Sequence, residues 1–113
     1  MDCLFCKMAA GQIKPDVVYE DEQVLVFRDI APQAPVHVLL IPKKHVANID
    51  ALTAGDAALA GHILLTAGRV ARQLGIADSG FRLASNCNAQ GGQTVYHLHF
   101  HLLGGRQMTW PPG

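Results

Sequence analysis

The run His97-Leu98-His99-Phe100-His101-Leu102-Leu103 constrains this chain more tightly than any other segment. Imidazoles stand at every second position, with apolar residues between and after them. On an extended strand, residues two apart share a face. The pattern therefore predicts a strand with three rings on one side and Leu98, Phe100 and Leu102 turned into a core. Three of the six histidines fall within these five positions. Such a row either holds a metal or handles a phosphoryl or acyl group by nucleophilic and acid–base chemistry.

The rest of the chain narrows the setting. Its 113 residues suit one domain with a real core, and half of them are apolar. Nine basic side chains balance nine acidic ones, so there is no electrostatic footprint for nucleic acid or an anionic membrane. Only Lys43-Lys44 hints at a basic patch. The N-terminal stretch carries an early acid and no long apolar run, unlike a signal peptide. No segment approaches the ~18 apolar residues of a membrane helix, and a soluble, cytoplasmic protein is expected. The three cysteines, Cys3, Cys6 and Cys87, argue against a disulfide framework. Cys3-x-x-Cys6 has metal-ligand spacing, and it reads equally well as two small apolar residues on a short helix.

The pattern along the chain is α+β. Residues 3–10 read as a short helix ended by Gly11 and Pro15. The β-rich runs at 17–20 and 24–27 flank a polar turn and predict a hairpin. The prolines at 32 and 35 make residues 29–35 a loop. Val36-His37-Val38-Leu39-Leu40-Ile41 is a strand stopped by Pro42. Thr53 with Asp56 offers a capping box, and a long amphipathic helix runs from there to Leu74, with Gly75 as its C-cap. Residues 81–85 form a fourth strand, 86–94 a polar loop and 95–103 the fifth strand. The tail, 104–113, is irregular. These elements predict an antiparallel sheet with the helix on one face; a parallel β-α-β crossover is the lesser alternative. The histidines lie opposite the helix-covered face or in a cleft closed by another element.

The loop before the histidines, Asn86-Cys87-Asn88-Ala89-Gln90-Gly91-Gly92-Gln93-Thr94, suits an anion. Its glycines let backbone N–H groups approach closely, and Gln93 and Thr94 add side-chain donors. Metal binding remains the rival, because three histidines can hold zinc with water as the fourth ligand. Against it, no Asp or Glu occurs from position 81 to 113 to orient the ligand rings.

The histidine run matches the His-φ-His-φ-His-φ-φ signature (φ apolar) of the histidine triad (HIT) superfamily. Asp29-Ile30-Ala31-Pro32-Gln33-Ala34-Pro35-Val36-His37, Ile41-Pro42-Lys43-Lys44-His45, Gly91-Gly92-Gln93-Thr94-Val95-Tyr96-His97 and the tail from Gly104 to Gly113 all resemble its Hint branch, the histidine triad nucleotide-binding proteins. The resemblance spans nearly the whole chain and leaves only the helix between about 52 and 78 generic. It implies a single HIT domain over residues 1–113, with 104–113 as its tail. The implied fold has a five-stranded antiparallel sheet, one long helix and a short N-terminal helix, with sheets joined across a homodimer.

The activity implied is hydrolysis of purine nucleoside phosphoramidates. The P–N bond of adenosine or guanosine 5′-phosphoramidates such as AMP-lysine is cleaved, and aminoacyl-adenylates are further substrates. His99 matches the family nucleophile, His101 the histidine that meets the phosphate, and His97 an orienting or structural one. His37 matches a fourth active-site histidine. Asp29 matches the acid that binds the ribose hydroxyls. Leu4, Phe5, Met8, Ile13, Phe27, Ile30 and Leu39 fall where the family lines its base pocket. Asn86, Gly92, Gln93, Thr94 and Val95 fall on phosphate-contacting positions. Many relatives carry serine where Thr94 stands, and the added methyl bears on the leaving-group side.

The resemblance implies no cofactor for catalysis. Other HIT proteins hold a structural zinc through a set that here would be Cys3, Cys6, His45 and His97, and two thiolates with two imidazoles make a normal tetrahedral site. It also implies a C-terminal tail reaching the partner subunit's site, and a lysyl-tRNA synthetase as a source of adenylates. Two other readings stay open: a dinucleoside polyphosphate hydrolase, as in the Fhit branch, and a nucleotide- or zinc-binding interaction protein.

Overall fold

The computed structural model describes residues 3–113. Helix α1, Leu4–Ala9, begins where the Cys3 sulfur accepts the Cys6 N–H at 3.2 Å. Gly11 follows it with φ 78°, a left-handed conformation that suits glycine. Strands β1 (Val17–Glu20) and β2 (Val24–Arg28) form the predicted hairpin. Asp21 shapes its turn by accepting the N–H groups of Gln23 and Val24, both at 2.8 Å.

Strand β3, Val36–Pro42, ends on its proline, which still faces Val24 in the register. The long helix starts with a 3-10 turn, Ala54–Asp56, and continues as α2, Ala57–Gln73. The Asp56 carboxylate accepts the Thr53 N–H at 3.0 Å, as the capping box predicts. At the far end, Ile76 N–H bonds Ala71 O at 2.9 Å and Gly75 N–H bonds Arg72 O at 3.1 Å. Those two bonds are a Schellman closure, and Gly75 supplies the positive φ it needs. Strands β4 (Phe81–Ala84) and β5 (Phe100–Gly104) complete the sheet.

All pairings are antiparallel, in the order β1-β2-β3-β5-β4, so the crossover alternative does not occur. One face carries Val24, Val26, Val38, Leu40 and Leu102 against Ile63, Ala67, Val70 and Ala71 of α2. The other face turns Leu25, Phe27, Leu39 and Ile41 toward Cys3 and Phe5 of the N-terminal segment. His101 pairs with Leu39 and therefore shares this second face. Among the described residues, no helix is long and apolar enough to cross a membrane.

One expectation fails in detail. The fifth strand starts at Phe100, not at 95, so His97 and His99 precede the ladder. In place of a strand partner, the Leu98 N–H bonds Val46 O at 2.6 Å. This holds the segment beside the loop after β3, and Leu98 still enters the core. The alternation survives without the ladder, with the rings of His97 and His99 on the opposite side against Phe5. Gly104, counted with the tail in the sequence, is the last residue of β5.

Candidate active site and thiol–imidazole cluster

The histidines divide between two neighbouring sites. His99 and His101 line a cleft of about 690 Å³. Its apolar wall is built by Leu4, Phe5 and Met8 of α1, Ile13 after it, and Phe27 and Leu39 of the sheet. Asp29, Ile30, Thr94 and Val95 also line it. These are positions where the resemblance expects base, ribose and phosphate contacts. Lys14, Pro15, Asp16 and Arg28 line it as well, and nothing in the sequence singles them out.

Hydrogen-bond partners fix each ring's tautomer. His99 Nδ1 lies 2.7 Å from the carbonyl of His97. A carbonyl only accepts, so Nδ1 carries the hydrogen and Nε2 keeps a free lone pair. The Nε2 of His99, on the side away from that carbonyl, is the nitrogen left to face the cleft. His37 shows the reverse arrangement. Its Nδ1 accepts the Gln33 backbone N–H at 3.0 Å, so its hydrogen sits on Nε2. That hydrogen donates to His101 Nδ1 at 2.9 Å, which leaves His101 with its own hydrogen on Nε2. His37 does not line the cleft; it sets His101 from behind as a donor.

Burial disfavours the charged form of His37 and His101. It lowers the His37 pKa, with the Asp29 carboxylate acting the other way. Burial also lowers His101, and repulsion from His99 and His37 adds to the effect, bringing it to about 4 despite Asp29. Asp29 accepts the Ala31 N–H at 2.8 Å through one oxygen, while the other lies 3.4 Å from His37 Nε2. It is both a turn-forming residue and a cleft carboxylate, with lone pairs left to accept hydroxyl hydrogens.

His97 belongs elsewhere. Fully buried, it donates from Nε2 to Pro42 O at 2.7 Å, which frees Nδ1 as an acceptor. That nitrogen meets Cys3 Sγ at 3.3 Å, Cys6 Sγ at 3.5 Å and His45 Nδ1 at 3.2 Å, while Cys6 Sγ meets His45 Nδ1 at 3.2 Å. The four predicted ligands therefore converge from α1, the loop after β3 and the histidine segment. Spacings of about 3.2–3.5 Å suit the edges of a tetrahedron around one ion. The Pro42 carbonyl supplies the outer support that ligand histidines use, so the lack of a carboxylate after position 81 is no obstacle.

A second acid–histidine group, Asp29, His37 and His101, is just as compact. It does not suit a metal, because both His37 nitrogens are already committed, one accepting and one donating. The chemistry of the donors, not their proximity, separates the two clusters.

The phosphate-type loop divides in the same way. Thr94 and Val95 reach the cleft, but Asn86, Gly92 and Gln93 do not line it. Gln93 is buried, and its amide is spent on the protein. Its oxygen accepts from Asn48 Nδ2 at 3.2 Å and from Asn88 N–H at 2.9 Å. Its nitrogen donates to Ala47 O at 2.8 Å and Val95 O at 3.0 Å. Asn48 joins this clip and bonds the side chain of Asn88 at 3.1 Å. Sequence reasoning missed Asn48 and the backbone of Gln33, because their partners lie far away in the chain or in the main chain.

The HIT domain family matches residues 10–108. The chain belongs to the HIT family. An uncharacterised HIT-like protein of Synechococcus elongatus is 54% identical over 112 residues, which cover 99% of this chain and 97% of that one. The crystal structure of a HIT family hydrolase from Legionella pneumophila superposes with a TM-score of 0.97 at 55% identity, covering 99% of this chain and 100% of the other. A histidine triad protein from Clostridium difficile gives 0.93 at 41% identity, covering 96% and 95%. The HIT fold seen here is therefore that of HIT-family hydrolases, and this chain is a hydrolase-like member of the family.

Proposed function

We propose that this HIT protein is a purine nucleoside phosphoramidate hydrolase of the Hint branch. One observation carries the reading: His99 faces an apolar, nucleotide-sized cleft with its Nδ1 hydrogen engaged by the His97 carbonyl, which turns Nε2 to the cleft. In the first step His99 Nε2 attacks the α-phosphorus, the P–N bond breaks, and the amine departs with a proton. Water then cleaves the phosphorus–histidine bond and releases the nucleoside monophosphate. His101 presents its Nε2 hydrogen to a phosphate oxygen or to the departing amine. His37 is a positioning residue that keeps His101 in that tautomer. Asp29 accepts the ribose hydroxyls, and the side chains from α1, Phe27 and Leu39 enclose the base. Thr94 and the Val95 N–H face the phosphate.

Cys3, Cys6, His45 and His97 fit a zinc ion by donor chemistry and spacing. Zinc bound there would neutralise two thiolates and cross-link the N-terminal segment to the sheet. No chemical step passes through it. Leu64 and Leu65 on α2, with Phe81 on the free edge of β4, are exposed apolar residues that support a homodimer. A monomeric mass by light scattering at micromolar concentration would contradict that dimer.

The deciding experiment is turnover of adenosine 5′-phosphoramidate by wild type and His99→Ala. Loss of at least ~10³-fold is expected, because a nucleophile removed from a unit of interacting groups takes most of the chemistry with it. Mass spectrometry of quenched wild type should show a nucleotide adduct on His99. Equal rates for the two proteins would refute the assignment. Faster turnover of a diadenosine polyphosphate than of the phosphoramidate would move the protein to the dinucleoside polyphosphate reading.

A further inference from the structure

The thiol–imidazole cluster and the nucleotide cleft share a wall. Phe5 stands on α1 between Cys3 and Cys6. Its ring meets the His99 ring edge-on at 5.2 Å, the His97 ring at 5.9 Å and Phe27 at 5.5 Å, and it lines the cleft. His97 gives its ring nitrogen to the cluster and its carbonyl to the nucleophile. Cys3 also caps α1 through its sulfur.

Besides the cluster, helix α1 meets the sheet through Phe5, with Cys6 and Met8 partly buried beside it. Its six residues fall well below the length at which a helix is stable alone. Phe5 is its one buried residue, and Leu4, although it lines the cleft, is half exposed. A single short turn anchored by one fully buried side chain opens at lower cost than the central strands. The two ends of the wall therefore depend on the cluster on one side and on whatever fills the cleft on the other.

We propose that the cluster and the cleft are energetically coupled through α1. Zinc on Cys3, Cys6, His45 and His97 raises affinity for a nucleoside monophosphate, and the nucleotide raises affinity for zinc by the same factor. The first ligand bears the entropy loss of ordering α1, and the second meets a wall already in place. Reciprocity is a thermodynamic necessity for such a coupling. Cys3 and Cys6 become positioning residues for the base pocket and, through His97, for His99. The inference rests on the zinc and nucleotide readings above.

The test uses the full chain and AMP. Calorimetry should show AMP binding ~10-fold weaker after zinc is stripped with a chelator, within the usual range for linked sites. Competition with a chromophoric chelator should show zinc affinity rising by that same factor when AMP is saturating. Amide exchange over residues 4–9 should slow with either ligand. A Cys3→Ser, Cys6→Ser double variant should bind AMP like the stripped wild type and ignore added zinc. Should that variant fail to fold, the two wild-type titrations decide alone. Equal AMP affinity with and without zinc, both ligands binding, overturns the coupling and leaves the two site readings standing. Failure of zinc to bind overturns it together with the zinc reading, and failure of AMP to bind overturns it together with the nucleotide reading.

Discussion

Gln93→Ala should destabilise this protein even though it removes a side chain from a loop. The Gln93 amide makes four hydrogen bonds, to Asn48, Asn88, Ala47 and Val95. At about 1 kcal/mol net per bond, losing all four sets a scale of ~4 kcal/mol. Water entering the vacated space recovers part of that, because Asn88 and its neighbours lie near the surface. Asn88 adds a smaller recovery. It sits at φ 61°, a left-handed conformation that asparagine adopts more readily than most residues, and the Gln93 oxygen holds its N–H there, so its release relaxes the strain that remains. The expected loss is therefore ~3 kcal/mol, read from urea unfolding by circular dichroism. Gln93→Glu should do no better, since a carboxylate turns an oxygen toward the carbonyls of Ala47 and Val95. Thr94→Ala is the contrast. Thr94 is exposed and lines the cleft, so its removal should change stability by less than ~0.5 kcal/mol while weakening nucleotide binding. A Gln93→Ala loss below ~1 kcal/mol with an unchanged denaturant slope would refute the clip. Gln93 would then have to be counted among the substrate contacts.

Three further outcomes are expected. Stability should fall as pH drops below 6.5, because the unfolded chain protonates residue 101 near that pH while the folded ring holds out to about 4. Linkage gives a ceiling of ~3 kcal/mol, and partial exposure of the ring reduces it to ~1–2 kcal/mol. Urea midpoints of zinc-stripped wild type between pH 7 and 4.5 should fall more steeply than those of His101→Asn; parallel curves would show that the ring does not carry the effect. His37→Ala should lower kcat more than it raises KM for adenosine 5′-phosphoramidate, because it frees the His101 tautomer without touching the cleft; a pure KM effect would place His37 in substrate binding instead. Leu40→Ala, at the fully buried centre of the sheet, should cost ~2–5 kcal/mol in thermal or urea unfolding, and a change under ~1 kcal/mol would contradict the packing described.

Much of the fold was legible in local pattern. The Thr53–Asp56 capping box, Gly75 after the long helix and the alternation around His101 each rest on interactions within a few residues, so the sequence states them directly. The early end of the predicted histidine strand did not read out. Alternation reports which way side chains face, whereas a ladder requires a partner strand, and the Leu98 N–H finds instead the carbonyl of Val46 in the loop after β3. Gln93 misled for a similar reason: an amide donor in a polar loop looks the same whether its partner is a phosphate or the carbonyl of Ala47.

The sequence by itself determined the family, the antiparallel α+β plan and the set of candidate site residues. Their assignment to roles came from tertiary contacts. Three histidines at equal spacing are chemically identical in the chain. The structure tells them apart because Pro42, His97 and His37 contribute, in turn, two carbonyl acceptors and a ring N–H donor, and the proposed roles of ligand, nucleophile and proton donor rest on that difference. Which nitrogen of an imidazole carries the hydrogen is settled by its neighbour in space, and for His97 and His101 that neighbour is remote in the sequence.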